Sequence, residues 1–229
     1  MKLRRNLLKR SRLYPVRSPA ARVATSNGVY LILNKPGFDK SSLENFCRKI
    51  IPSGIGIVQL RDKPSAKADI LKLANKLARR LGDSKILFIV NDHPDLALLS
   101  GADGVHLGQG DMPLGKARLI LGRDKIIGVS CHNKRQALKA QKQGADYIGI
   151  GPVYATPTKP EYRPIGLKVL KQLKGKIKIP YFAIGNINKG NIGKIISSGA
   201  RRVAVSRAIM SSGNIRLAAK ELLKRLQTK

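Results

Sequence analysis

Acidic residues are scarce in this chain. Only 13 of its 229 residues are Asp or Glu, against 45 Lys plus Arg, and the net charge is +32. Tryptophan is absent, and four Phe and six Tyr are the only other aromatic side chains. So few rings leave little on which nucleic-acid bases could stack. The cations are also scattered, as in KLANKLARR and KGKIKIP, with no single block, so basic composition alone does not make nucleic acid a dedicated partner. Two cysteines, Cys47 and Cys131, exclude a disulfide framework and point to a reducing cytoplasm. Together with three histidines they make no zinc-binding spacing. Apolar runs are short, Ile86 to Val90 being typical, and none nears the roughly 20 residues that cross a bilayer. No membrane partner is expected.

What is present is globular: 42% hydrophobic residues, 22 Gly and 12 Pro. Residues 1–27 stand apart, with eight Lys or Arg and no acid; the first carboxylate in the chain is Asp39. The segment reads as a transit peptide, an upstream start or a solvated basic tail, and the basicity of the whole chain favours the last two. It is expected to be disordered and to lie outside the fold. From Gly28 to Lys229 one domain follows, with no second domain and no other internal repeat expected.

Within that domain, short β-branched runs alternate with segments of helical period. The runs are 29–33, 56–60, 86–90, 104–107, 126–130, 147–150, 180–184 and 202–205. AKADILKLANKLARRLG, NKRQALKAQKQG and NKGNIGKIISSGA are three of the helical segments, and Gly82, Gly101, Gly144 and Gly199 suit the left-handed residue that ends a helix. Most strands are apolar on both faces, as when helices cover one side and a barrel core the other. Eight such units in about 200 residues predict an α/β fold, a single (β/α)8 TIM barrel. An open doubly wound sheet would not need eight.

Barrels of this kind gather reactive groups at the carboxyl ends of their strands. That rule selects Gln59, Arg61 and Lys63, then Asn91 and Asp92, then Gln109 and Asp111, then Ser130 and His132. Further on it selects Thr156, Thr158 and Lys159, Gly185 and Asn186, and Ser206 and Arg207. The stretch NDHPDLALLSGADGVHLGQGD holds four of the 13 acids, Asp92, Asp95, Asp103 and Asp111. Asp92 and Asp111 follow adjacent strands and so can face one hard cation such as Mg²⁺ beside Arg61 and Lys63, the set a metal–polyphosphate site needs. Asp95 and Asp103 are expected to be solvated or helix-capping, and His106 to be a hydrogen-bonded residue of the barrel.

QLRDK, IVND, GADGVHLGQGDMP, IGVSCHN, YIGIGPVYATPTK and the GN/SRAI ending, in order from Tyr30 to Ile209, resemble the thiamine phosphate synthases. The same superfamily holds the thiazole tautomerases. The resemblance implies a transferase of thiamine biosynthesis that joins an aminopyrimidine methyl diphosphate to a thiazole phosphate, releasing diphosphate, and CO₂ if the thiazole is carboxylated. It implies that Arg61, Lys63 and Lys159 hold the diphosphate, with Asp92 and Asp111 on Mg²⁺. Gln59, Asn91 and Ser130 would contact the pyrimidine diphosphate, and Thr156 and Thr158 the thiazole. Gly185, Asn186, Ser206 and Arg207 would form the thiazole phosphate cup.

The chain departs from that family at His93, where Arg is usual, at Gly110, where Glu is common, and at Asn186, where a second Gly is common. It also has Arg207 where a small hydroxyl residue is usual. Asn tolerates positive φ, so Asn186 is expected to keep the glycine-like turn. Arg207 either forks onto the phosphate or points outward. A tautomerase needs no full Arg, Lys and metal set, and His132 is the residue that keeps that alternative open. The expected partners are two small molecules, and a homo-oligomer is left open. At physiological salt an oligonucleotide is expected to run unshifted beside the protein in a gel; a shift that survives Asp92→Ala would move the basic surface to nucleic acid.

Overall fold

The structure, a computed structural model, describes residues 18–34, 37–157 and 162–227. Eight parallel strands, β1 (Val29–Asn34), β2 (Ile57–Arg61), β3 (Leu87–Asn91), β4 (Gly104–Leu107), β5 (Ile126–Cys131), β6 (Tyr147–Ile150), β7 (Tyr181–Ile184) and β8 (Val203–Val205), close into a barrel in chain order. The last join pairs Tyr30 with Ala204, which leaves no open edge. The helices are α1 (Pro19–Ala24), α2 (Lys40–Ile50), α3 (Lys67–Leu81), α4 (Pro94–Ser100), α5 (Leu114–Leu121), α6 (Lys134–Lys142), α7 (Gly166–Leu173), α8 (Ile192–Ser197), α9 (Arg207–Met210) and α10 (Ile215–Gln227). Among the described residues no helix is long and apolar enough to cross a membrane. Every predicted strand is present with limits within one residue, so the (β/α)8 barrel holds.

Period-two alternation sorts each strand into an inner and an outer row. Leu31, Val58, Phe88, Val105, Ile127, Ile148, Ala183 and Val203 face the helices and join one core. Tyr30, Ile57, Leu87, Ile126, Tyr147, Phe182 and Ala204 face inward and form a second core. The helices answer the outer row: on α3, Ile70, Ala74, Leu77, Ala78 and Leu81 are buried at helical spacing while Arg79 and Arg80 stay outside. Inside, bulk and its absence are paired. A Cβ on Gly128 would lie 2.1 Å from Tyr147 Cζ, so that glycine makes room for a ring crossing the barrel.

Helix ends follow local chemistry. Asp39 caps α2 by accepting from the Ser42 amide at 2.7 Å, and Asn133 caps α6 by accepting from Gln136 N at 2.9 Å. Gly101, Gly144 and Gly199 take φ of 73°, 86° and 98°, as expected. Gly82 does not: its φ is −59°, still right-handed. The chain there turns through Ser84, whose hydroxyl and amide both bond the Leu81 carbonyl, so no left-handed residue is required. Helix α8 begins only at Ile192, because Asn188 and Asn191 spend their side chains on turn amides: Asn188 Oδ1 accepts from Gly190 N, and Asn191 Oδ1 from Asn188 N, both at 2.9 Å.

Two expectations are corrected at the amino-terminal end of the barrel. Residues 1–17 lie outside the described residues, but 18–27 belong to the fold. Helix α1 is capped by Ser18, its Val23 is fully buried in the inner core, and Arg202 Nη2 donates to Ala24 O at 2.8 Å. Its Arg22 pairs at 2.5 Å with Asp103, which is 5% exposed and also accepts the Phe88 amide at 2.8 Å. Asp103 is therefore a buried strut, neither solvated nor a helix cap. The same device recurs two β/α units later, before β6: Asp146 accepts from Ile127 N at 2.8 Å and pairs with Arg118 at 2.7 Å. Both aspartates stand in a Gly-Ala-Asp sequence between a helix and the next strand, a short repeat at 101–103 and 144–146. Asp95, by contrast, is exposed in the first turn of α4 with Lys67 Nζ at 3.3 Å.

Asp103→Ala removes the partner of Arg22 and of the Phe88 amide together. It is expected to lower the unfolding free energy by about 3 kcal/mol, as for other broken buried pairs, read as a shifted urea midpoint. An unshifted midpoint would detach α1 from the barrel.

Candidate functional site

On β1, β2, β3 and β5 the inner row reaches a polar residue at the carboxyl-terminal mouth. Asn34 ends β1, Arg61 ends β2, Asn91 ends β3, and Ser130 stands near the end of β5. Ser206 and Asn186 follow β8 and β7. These groups line a cavity of about 330 Å³, a size that suits a small ligand. Its floor holds Gln59 and His106, 2% and 8% exposed. As expected, His106 is hydrogen-bonded inside the barrel, with Nδ1 3.0 Å from Tyr147 Oη and Nε2 2.9 Å from Ser130 Oγ.

Around the wall, Arg61 Nη1 donates to Asn34 Oδ1 at 3.0 Å, and Asn34 Nδ2 donates to Ser206 Oγ at 3.0 Å. Asn34 thus ties β2 to β8 and holds the Arg61 guanidinium at the mouth. It is absent from the residues selected by sequence, although the strand-end rule extended to β1 selects it as well. On the far wall Asn186 has φ +48°, the predicted left-handed turn, after Gly185 at +112°. Arg207 does not turn away: its Nη2 donates to Asn186 Oδ1 at 3.0 Å and it lines the cavity. Thr156 also lines it. His132 does as well, with its ring stacked on Tyr162 at 4.6 Å and Nδ1 2.6 Å from the Gly151 carbonyl. Gln109 lies outside the cavity wall, exposed, its amide on Ser130 O at 2.5 Å. Thr158 and Lys159 lie outside the described residues.

Asp92 and Asp111 come together past the ends of β3 and β4, with Lys63 beside Asp92. Asp92 sits at φ +63°, a conformation few non-glycine residues adopt, with its amide donating to His106 O at 2.8 Å. Asp111 folds back so that Oδ2 accepts from Gly108 N at 2.6 Å. A Cβ on Gly108 would stand 2.9 Å from that same oxygen, so the glycine permits the approach. Burial pushes the Asp92 carboxyl up from 3.8 to about 6; the facing Asp111 carboxylate, within hydrogen-bonding reach, pushes the same way, and Lys63 opposes both. Lys63 Nζ is 3.4 Å from Asp92 Oδ2 and more than half exposed. Two carboxylates are pressed together here in a chain of +32.

Such a pair could hold a cation. Among the described residues no group of three or more His, Cys, Asp or Glu is assembled. A cation here would complete its shell with water or with ligand oxygens, which suits a hard ion better than a soft one. The arrangement is a cavity with hydrogen-bonding groups on its floor and the Arg61 guanidinium in its wall, and, past the end of β3, a carboxylate pair with the Lys63 ammonium beside it.

Comparison with known proteins places the chain in a family. The family model described as thiamine monophosphate synthase matches residues 29–209. A thiamine-phosphate synthase of Clostridium acetobutylicum is 41% identical over 188 residues, 82% of this chain and 89% of that protein. One from Syntrophomonas wolfei is 40% identical, over 87% of this chain and 96% of its own length. Among solved structures, thiamine phosphate pyrophosphorylase from Pyrococcus furiosus is 33% identical with a TM-score of 0.79, covering 90% of this chain and 98% of that one. A 3-hexulose-6-phosphate synthase, 18% identical at a TM-score of 0.62, shares the fold.

The carboxylate pair has a pH signature. A carboxyl whose pKa is raised by folding binds its proton more tightly folded than unfolded. The resulting penalty is absent below about pH 4, grows as pH rises, and is complete above about pH 6. In EDTA, Asp111→Asn is expected to gain stability over the parent progressively across that window, measured by urea denaturation. Parallel pH profiles for the two proteins would mean the carboxylates do not interact.

Proposed function

The chain belongs to the thiamine monophosphate synthase family, and on that premise we propose how its barrel mouth performs the transfer. The activity is that of a thiamine phosphate synthase, a transferase acting on small molecules. It joins 4-amino-2-methyl-5-(diphosphooxymethyl)pyrimidine to a thiazole phosphate, and CO₂ leaves as well when the thiazole carries a carboxylate. The observation that carries the site assignment is the Asp92–Asp111 pair with Lys63 beside it, Asp92 being next in the chain to Asn91 of the cavity wall, while Arg61 lines the cavity itself.

Gln59, Asn91 and Ser130 orient the pyrimidine, Gln59 from the floor and the other two from the wall. Arg61 and Lys63 bind the diphosphate, and Lys159 is assigned to it by the family motif. The bond between the methylene carbon and the diphosphate oxygen breaks with its electron pair going to diphosphate. The electron-rich aminopyrimidine carries the positive charge left on the methylene. Charge developing on the leaving group is neutralised by the guanidinium and ammonium groups already in place, where donors need no reorganisation. The carboxylate pair fits Mg²⁺; Asp92 and Asp111 would hold it, and when bound it adds neutralisation of the diphosphate. Thr156 and Thr158 hold the thiazole so that its ring nitrogen attacks the methylene carbon. Gly185, Asn186, Ser206 and Arg207 hold the thiazole phosphate, Arg207 as a guanidinium already turned to the cavity. Nucleic acid is not a partner in this reading.

Purified protein given both substrates and Mg²⁺ is expected to release diphosphate and thiamine phosphate one for one. Asp92→Ala and Asp111→Ala should each cut turnover by about 100-fold or more, the scale of a lost charge-stabilising contact, and should weaken Mg²⁺-dependent binding of inorganic diphosphate in calorimetry. Full activity in both variants would remove the metal assignment, and turnover of the thiazole alone would favour the tautomerase alternative.

A further inference from the structure

Below the cavity floor an unbroken file of polar groups crosses an otherwise apolar core. Gln59 Nε2 donates to Tyr30 Oη at 2.6 Å, and Tyr30 Oη lies 2.9 Å from Tyr147 Oη. Tyr147 Oη is 3.0 Å from His106 Nδ1, and His106 Nε2 is 2.9 Å from Ser130 Oγ. Gln59, His106 and Ser130 line the cavity, while Tyr30 and Tyr147 are 2% and 0% exposed. The strands make room for the file: Gly128 clears the Tyr147 ring, and a Cβ on Gly149 would stand 3.4 Å from His106 Cε1.

The direction of the file follows from its first link. An amide nitrogen donates and does not accept, and each phenol has one proton to pass on. With Tyr30 receiving from Gln59, the arrangement that leaves no buried phenol proton without an acceptor sends the Tyr30 proton to Tyr147. The Tyr147 proton then goes to His106 Nδ1, which leaves the proton of the neutral ring on Nε2, donating to Ser130 Oγ. The Ser130 hydroxyl proton is thereby turned away from the core and into the cavity. Burial raises the pKa of both tyrosines well above the ordinary phenol value, so neither link is lost by ionisation.

We propose that Tyr30, Tyr147 and His106 are positioning residues that hold Ser130 Oγ–H as a hydrogen-bond donor to the pyrimidine diphosphate and couple it through the core to Gln59. This rests on the proposed contact between Ser130 and that substrate. His106 lines the cavity floor but spends both ring nitrogens on Tyr147 and Ser130, so in this scheme all three act on the substrate through Ser130 or Gln59. A file that only satisfied buried hydroxyls would contribute to stability and leave substrate kinetics alone.

A double-mutant cycle separates the two. Tyr147→Phe is expected to lower kcat/KM for the pyrimidine diphosphate by about tenfold, the effect of one lost hydrogen bond to a bound group, while KM for the thiazole phosphate stays within about twofold. In a Ser130→Ala background the same substitution should change neither, because the group it positions is gone. Full effects in both backgrounds, or loss of thermal stability alone with unchanged kinetics, overturn the proposal. If Ser130→Ala by itself leaves the pyrimidine kinetics unaltered, the assignment of Ser130 to that substrate fails and the file's role fails with it. Family activity is untouched by that outcome. Should Tyr147→Phe not fold, as seen by circular dichroism, His106→Asn keeps an amide towards Tyr147 and cuts only the Ser130 link. With that variant, a kinetic loss confined to the Ser130 background supports the positioning role, and an equal loss in both backgrounds overturns it.

Discussion

Closure of eight parallel strands is the constraint from which everything else in this molecule follows. Once β8 pairs with β1, every inner-row side chain points into one enclosed column and every strand ends at the same mouth. Hydrophobic packing fills the lower part of that column with Tyr30, Ile57, Leu87, Ile126, Tyr147 and Phe182. At the top the packing gives way to polar strand ends, because a ligand, not a side chain, must fill the remaining space. Residues as distant in the chain as Asn34 and Ser206 become hydrogen-bonded neighbours there.

Electrostatics divides the molecule by end as well as by side. At the amino-terminal end, Asp103 and Asp146 are matched by Arg22 and Arg118 and by strand amides, so their charge is spent on structure. At the mouth, Asp92 and Asp111 face each other with the exposed Lys63 ammonium beside Asp92, and burial makes the conflict worse. A fold tolerates like charges pressed together where something binds between or beside them. The surrounding field is strongly positive at +32, which draws anionic substrates towards a mouth that carries its own carboxylate pair.

Polar groups in the barrel core are costly unless satisfied, and this core satisfies them in series. The file from Gln59 to Ser130 turns a requirement of burial into an orientation at the cavity wall, as the second rank of groups commonly does for reacting side chains. The departures from the family pattern also find places in the geometry. Asn186 takes φ +48° where glycine is common, and its side-chain oxygen accepts from Arg207. The two positions are in contact across the cavity wall, at 3.0 Å.

Periodicity and punctuation determined the strands, the barrel and the candidate rim residues by themselves, because hydrophobic alternation and strand ends are local properties of the chain. The pairing of Asp92 with Asp111 was also legible, since it needs only adjacent strands ending at one rim. What the tertiary structure decided were contacts whose partners lie far apart in sequence. Arg22 reaches Asp103 across 81 residues, which draws part of the basic segment into the fold. Tyr30 reaches Tyr147 across 117 residues. No local pattern separates such a tyrosine from an ordinary core ring, or Asp103 from a solvated loop acid, because burial and charge pairing exist only after the chain has closed on itself.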